Sequence, residues 1–234
     1  LNNNTGTIAL LSSGGINGGS GTVLMRAANY AFGGADRTIT TTGVLTIQPD
    51  ADENSFASSF DNQYLNPVSV TGLTLGKSSN ASAITLSRAI SLSGPVSIYG
   101  GSIDVNANIT ANSGNILLDA DTGSTLNQSS TGILLDDAIT IETVTSGNLT
   151  LIGRSGDTGS GFDGIDASSA NTTTLRSAGN LTLQGYSYAA SGSGRGVDLN
   201  NDVIAASGTV SMSGQHNTGA TYALSLSGST SVTA

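Results

Sequence analysis

Aliphatic residues in this chain come in pairs one residue apart, and a Gly stands before most pairs. The unit reads Gly-x-(Leu/Ile/Val)-x-(Leu/Ile/Met). It occurs as Gly6-Thr7-Ile8-Ala9-Leu10, Gly21-Thr22-Val23-Leu24-Met25, Gly114-Asn115-Ile116-Leu117-Leu118, Gly147-Asn148-Leu149-Thr150-Leu151, Gly179-Asn180-Leu181-Thr182-Leu183 and Gly208-Thr209-Val210-Ser211-Met212. Gly94-Pro95-Val96-Ser97-Ile98 fits with Pro in the variable place. Looser forms are Gly43-Val44-Leu45-Thr46-Ile47, Gly72-Leu73-Thr74-Leu75 and the late Ala223-Leu224-Ser225-Leu226. Alternation with period two predicts short strands with one buried face. The residue between the aliphatic pair, mostly Thr or Ser, points outward. The Gly supplies a tight bend before each strand.

The glycines at 6, 21, 43, 72, 94, 114, 147, 179 and 208 are 15 to 33 residues apart. Recurrence on this scale marks solenoids and propellers. Further short strands fall between them, such as Ile103-Asp104-Val105, Ile133-Leu134-Leu135, Ile139-Thr140-Ile141 and Val203-Ile204. A propeller blade needs four longer strands, and a β-sandwich needs strands of about 5–6 residues joined by hairpin turns. The pattern therefore predicts an all-β fold, a right-handed parallel β-helix (β-solenoid) of about nine or ten irregular coils. Residues 1–234 form a single shaft in this reading. At about 4.8 Å per coil the rod would be roughly 45 Å long. Neither end reads as a cap, and the chain opens at Leu1, so it reads as a segment of a longer polypeptide.

Four segments break the rhythm: 26–37, 49–67, 153–171 and 185–196. They hold Tyr30, Phe32, Phe56, Phe60, Tyr64, Phe162, Tyr186 and Tyr188, eight of the ten aromatics. Coil stacking is therefore not assigned to the aromatics. Phe56, Phe60 and Tyr64 are spaced i, i+4, i+8, as in a short amphipathic helix or turn lying on the rod. The bland reading is a loop covering apolar shaft surface. The functional reading makes Phe56, Phe60, Tyr64, Tyr186 and Tyr188 candidate binding residues, the last two suited to stacking on sugar rings.

Composition narrows the chemistry. Charged residues are 10% of the 234 and Gly numbers 32, while 37% of residues are hydrophobic. Low charge argues against a helical protein, and the placed aliphatics argue against disorder. Seven basic residues and a net charge of −9 leave no electrostatic footprint for nucleic acid. No apolar run approaches the ~18 residues of a membrane span, so no membrane insertion is expected. There is no Cys and one His, His216, so zinc sites and Cys or His triads lack their parts. His216 reads as a solvated turn residue.

Carboxylates occur as Asp50/Asp52/Glu53, Asp119/Asp121, Asp136/Asp137 and Asp157/Asp163/Asp166. Gly159-x-Gly161-x-Asp163-x-Ile165 matches part of a calcium-binding nonapeptide, once and without the stacked copies such a site needs. Asp119, Asp121 and Asp163 are accordingly the candidate metal ligands, with calcium the one cofactor the sequence admits and no cofactor the main expectation. The outward strand positions Thr46, Thr74, Thr85, Ser97, Thr150, Thr182, Ser211 and Ser225 form a hydroxyl ladder rather than a catalytic face, so no catalytic residue is assigned. The sequons at Asn108, Asn148 and Asn180 arise from the repeat itself.

The segments Ser146-Gly147-Asn148-Leu149-Thr150-Leu151, Ala178-Gly179-Asn180-Leu181-Thr182-Leu183 and Ser113-Gly114-Asn115-Ile116-Leu117-Leu118 resemble shaft repeats of filamentous-haemagglutinin-like exoproteins. These are very large bacterial surface adhesins exported by two-partner secretion. The resemblance runs over most of residues 1–234. It implies a right-handed β-helix, secretion to the cell surface, and an adhesive or filament-forming role. Its shaft repeats have no fixed functional residues to carry over, and Asn66-Pro67 does not match the family's secretion-domain motifs. The expectation is an extracellular structural or adhesive shaft and not an enzyme. Its partners would be neighbouring repeats or other copies of itself, with host or surface glycans as further candidates. The alternatives are a carbohydrate-binding or carbohydrate-cleaving β-helix and a self-assembling fibre subunit.

Overall fold

The structure is a computed structural model that describes residues 2–10, 15–34, 36–50, 53–120, 130–136, 138–167, 171–217 and 222–234. The described residues form strands and no helix. The first sheet has nine strands: Asn2–Leu10, Val23–Phe32, Val44–Gln48, Gly72–Leu75, Val96–Tyr99, Ile116–Ala120, Leu149–Arg154, Leu181–Ser187 and Val210–His216. The second has six: Ile90–Leu92, Ile109–Ser113, Thr140–Ser146, Thr174–Ser177, Val203–Ala206 and Ser231–Thr233. The third has seven: Phe60–Asp61, Ile84–Leu86, Ile103–Val105, Ile133–Leu135, Ile165–Ala167, Val197–Asn200 and Leu224–Ser227. A fourth, of Ile16–Asn17, Arg37–Thr40 and Leu65–Val68, stands at the early end. It precedes the first-sheet strand in each coil, the place the second sheet takes later.

From Gly72 onward the chain visits the first, third and second sheets in turn and then begins the next coil. Every pairing of these strands is parallel. This is a parallel β-helix. Nine strands in one sheet give eight steps of about 4.8 Å, a stack roughly 38 Å long.

The inward row of each sheet is a ladder of like residues. On the first sheet Leu45, Leu73, Val96, Ile116, Leu149, Leu181 and Val210 lie in register. On the third, Phe60, Ile84, Ile103, Ile133, Ile165, Val197 and Leu224 do the same. Ile90, Ile109, Ile141, Leu175, Ile204 and Val232 serve the second. Most internal members are wholly buried. Burying one such side chain contributes about 1.5–3 kcal/mol, and only a neighbouring coil can provide the cover. Coil length is free to vary because the turns absorb it. Val96 meets Ile116, whereas Ile116 meets Leu149 much further along the chain.

Asparagines tie the turns together. Asn115 Oδ1 accepts the N–H of Asn148 at 2.9 Å, Asn148 Oδ1 that of Asn180 at 2.8 Å, and Asn180 Oδ1 that of Thr209 at 2.9 Å. Asn108 Oδ1 likewise accepts the N–H of Thr140 at 2.8 Å. The three sequon asparagines are therefore rungs of inter-coil ladders. The preceding Gly147 adopts φ 115°, a conformation that side chains disfavour.

Several sequence expectations are corrected. The 15-residue step from Gly6 to Gly21 is not a coil, because Ile8 stacks on Tyr30 and Leu10 on Phe32 rather than on the Gly21 unit. Segment 26–37 is no excursion: Arg26–Phe32 complete the strand that begins at Val23, and Arg37 opens the next. Segment 49–67 contains two strands and, among its described residues, no helix. Tyr30, Phe32, Phe56 and Phe60 pack together, with ring centroids 5.5–6.1 Å apart. Phe56 and Phe60 are each 4% exposed. They are core residues rather than ligand-facing ones, so aromatics do stack coils at this end.

Segments 153–171 and 185–196 are excursions only in part: residues 153–154 and 185–187 finish first-sheet strands and Ile165–Ala167 is a third-sheet strand, while the loops 155–164 and 188–196 leave the sheets and stack on each other. Ser155 N donates to the Tyr186 carbonyl at 2.9 Å, and Gly161 N to the Ser191 carbonyl at 3.2 Å. At their root, inward-facing Gly153 and Gly185 touch the backbone of Gly164 and Gly196. With no side chains between them, the two sheets close together and the loops are held outside the core.

Candidate functional site

The outward row of the third sheet runs Asp61, Thr85, Asp104, Leu134, Asp166, Asp198 and Ser225. Hydroxyls do fill most of the first sheet's outward row, through Thr46, Thr74, Ser97, Thr150, Thr182 and Ser211, with Leu24 and Leu117 among them. Thr85 and Ser225 belong instead to the third sheet, whose outer face is largely acidic.

The carboxylates converge where the stacked loops cover that face. Asp166 and Asp198 are register partners on adjacent coils, and Asp163 lies just before the same strand. One oxygen from each of Asp163, Asp166 and Asp198 lies within 4.8 Å of the others. Asp163 and Asp198 are buried, at 8% and 4% exposure. Arg195 contacts the group. Its backbone N–H donates to Asp163 Oδ1, and its guanidinium pairs with Asp198 Oδ2. Burial pushes the Asp163 carboxyl up to about 6; its bond from Arg195 opposes this, and the Asp166 and Asp198 charges add to it.

Asp202 borders the same group. Its two oxygens accept the N–H groups of Thr173 at 3.0 Å and Asn200 at 2.9 Å. Burial raises it to about 6 as well, against those two bonds, with Asp198 and Asp166 adding repulsion. Further along the face, burial also raises Asp104, with Asp136 and Asp61 contributing. Three clustered carboxylate oxygens are the donor type a hard cation takes. Their alternative is to share protons, since like charges this close resist joint ionisation.

Of the residues expected to bind metal, Asp163 stands in this group. Asp119 stands on the first sheet beside Tyr99 and Ile152, away from it. Asp121 lies outside the described residues. Tyr186 is an outward residue of the first sheet with the Arg154 guanidinium 4.8 Å from its ring centre. The Tyr188 N–H is held by Ser155 Oγ at 2.9 Å. The Tyr64 carbonyl accepts the N–H of Arg37 at 2.7 Å, and its side chain is half-buried. The structure thus does not gather the five candidate binding aromatics into one surface.

Asp166, Asp198 and Asp202 are absent from the metal ligands expected from the sequence. The signal was present in Gly164-Ile165-Asp166 and Gly196-Val197-Asp198, two copies of one short motif on successive coils.

No protein-family model matches this chain, nor does any curated protein or solved structure.

Proposed function

We propose that this chain is a structural shaft segment of a bacterial surface adhesin or filament, acting outside the cell. The observation that supports this reading is the run of in-register aliphatic ladders from Leu45 to Val210 on one sheet, matched on the other two. Such a stack is a stiff spacer: each coil is fixed by its neighbours, and length is set by coil number. The resemblance of the Gly-Asn-Leu-Thr-Leu units to haemagglutinin-like shaft repeats supports the extracellular and adhesive parts of the reading. Small-angle scattering on the purified chain tests the shaft. A rigid particle whose length matches the stack of roughly 38 Å is expected; the profile of a flexible or unfolded chain would reject it.

A second reading is a carbohydrate-acting β-helix, favoured by the Asp163, Asp166 and Asp198 group. A panel of neutral and acidic polysaccharides, screened for retention and for released reducing ends, separates the two. Release of reducing ends that disappears in Asp166→Asn would establish the second reading.

A further inference from the structure

We draw no further inference here: the strongest candidate, the cluster of Asp163, Asp166 and Asp198 carboxylates on the outer face of the third sheet, is an acidic group with no second feature beside it that points to a ligand.

Discussion

Asp50 is wholly buried just beyond the Val44–Gln48 strand, and neither of its carboxylate oxygens has a hydrogen-bond partner. Lys77 reaches the backbone there instead, donating to the Asp50 carbonyl at 3.1 Å and to the Glu53 carbonyl. An unsatisfied buried polar group costs about 1–3 kcal/mol, and more when charged. Asp50→Asn keeps the shape and removes the charge. It should raise the unfolding free energy at neutral pH by about 1 kcal/mol or more, read from urea titration. A loss of stability would show that the carboxylate is paired in solution.

Asp163 and Asp202 support a pH prediction at the same scale. Both have folded values of about 6, above the ordinary 3.8. A raised carboxyl favours the folded state when protonated. Its contribution is fully present below about pH 4 and is lost as pH rises through 6. The wild-type stability relative to an Asp163→Asn/Asp202→Asn double variant should therefore fall between pH 4 and pH 7. The difference cancels the carboxylates remote from these two, while Asp166 and Asp198, whose charges act on both, stay within it. A flat difference across that window would mean that neither group is perturbed.

At the scale of the strand and turn, the glycines do two jobs that sequence alone does not separate. Gly185 faces inward, and a Cβ there would collide with the carbonyl of Gly196, which is backbone and cannot swing away. Gly34 has open space around it. Gly185→Ala should cost about 3 kcal/mol, the upper range for overpacking a core, whereas Gly34→Ala should stay within about 0.5 kcal/mol, as surface changes do. Thermal melts of the two variants check the contrast, and equal melting temperatures would refute the close approach of the two sheets. The strands were legible because an inward row forces period-two alternation on its own residues. Pairing was not: whether Ile8 stacks on Val23 or on Tyr30 depends on where along the single strand Val23–Phe32 the preceding coil sits, and that strand carries apolar residues at both places. The aromatic core was missed for a related reason. Phe56 and Phe60 read as helix-spaced, but Phe56 lies in the irregular segment that leads into the Phe60–Asp61 strand, and both meet Tyr30 from the preceding coil. The acidic group needed knowledge that Asp166 and Asp198 are neighbours across coils, a relation that appears only once the register is set.

For the molecule as a whole, stability along the stack follows from how many neighbours each coil has. Internal inward residues such as Ile116, Leu149 and Leu181 are fully buried, whereas Leu226 and Val232 in the last coil are 46% and 42% exposed. A stack held by nearest-neighbour contacts should tolerate loss of an internal coil better than an ordinary domain tolerates an internal deletion. The coil starting at Val96 suits this test because Val96 and Ile116 are register partners. Deleting residues 96–115 joins Pro95 to Ile116 and brings Ile116 onto Leu73, Ile133 onto Ile84, and Ile141 onto Ile90, each an aliphatic pair like those it replaces. The deletion also removes Asn108 and Asn115, whose side chains accept the Thr140 and Asn148 N–H groups at 2.8 and 2.9 Å, at a cost of about 1 kcal/mol each. The shortened chain should keep its β-sheet circular dichroism, unfold cooperatively in urea, and scatter as a rod about 4.8 Å shorter. Loss of cooperative unfolding would show that the coils are not interchangeable units and would remove the basis for reading length as coil number.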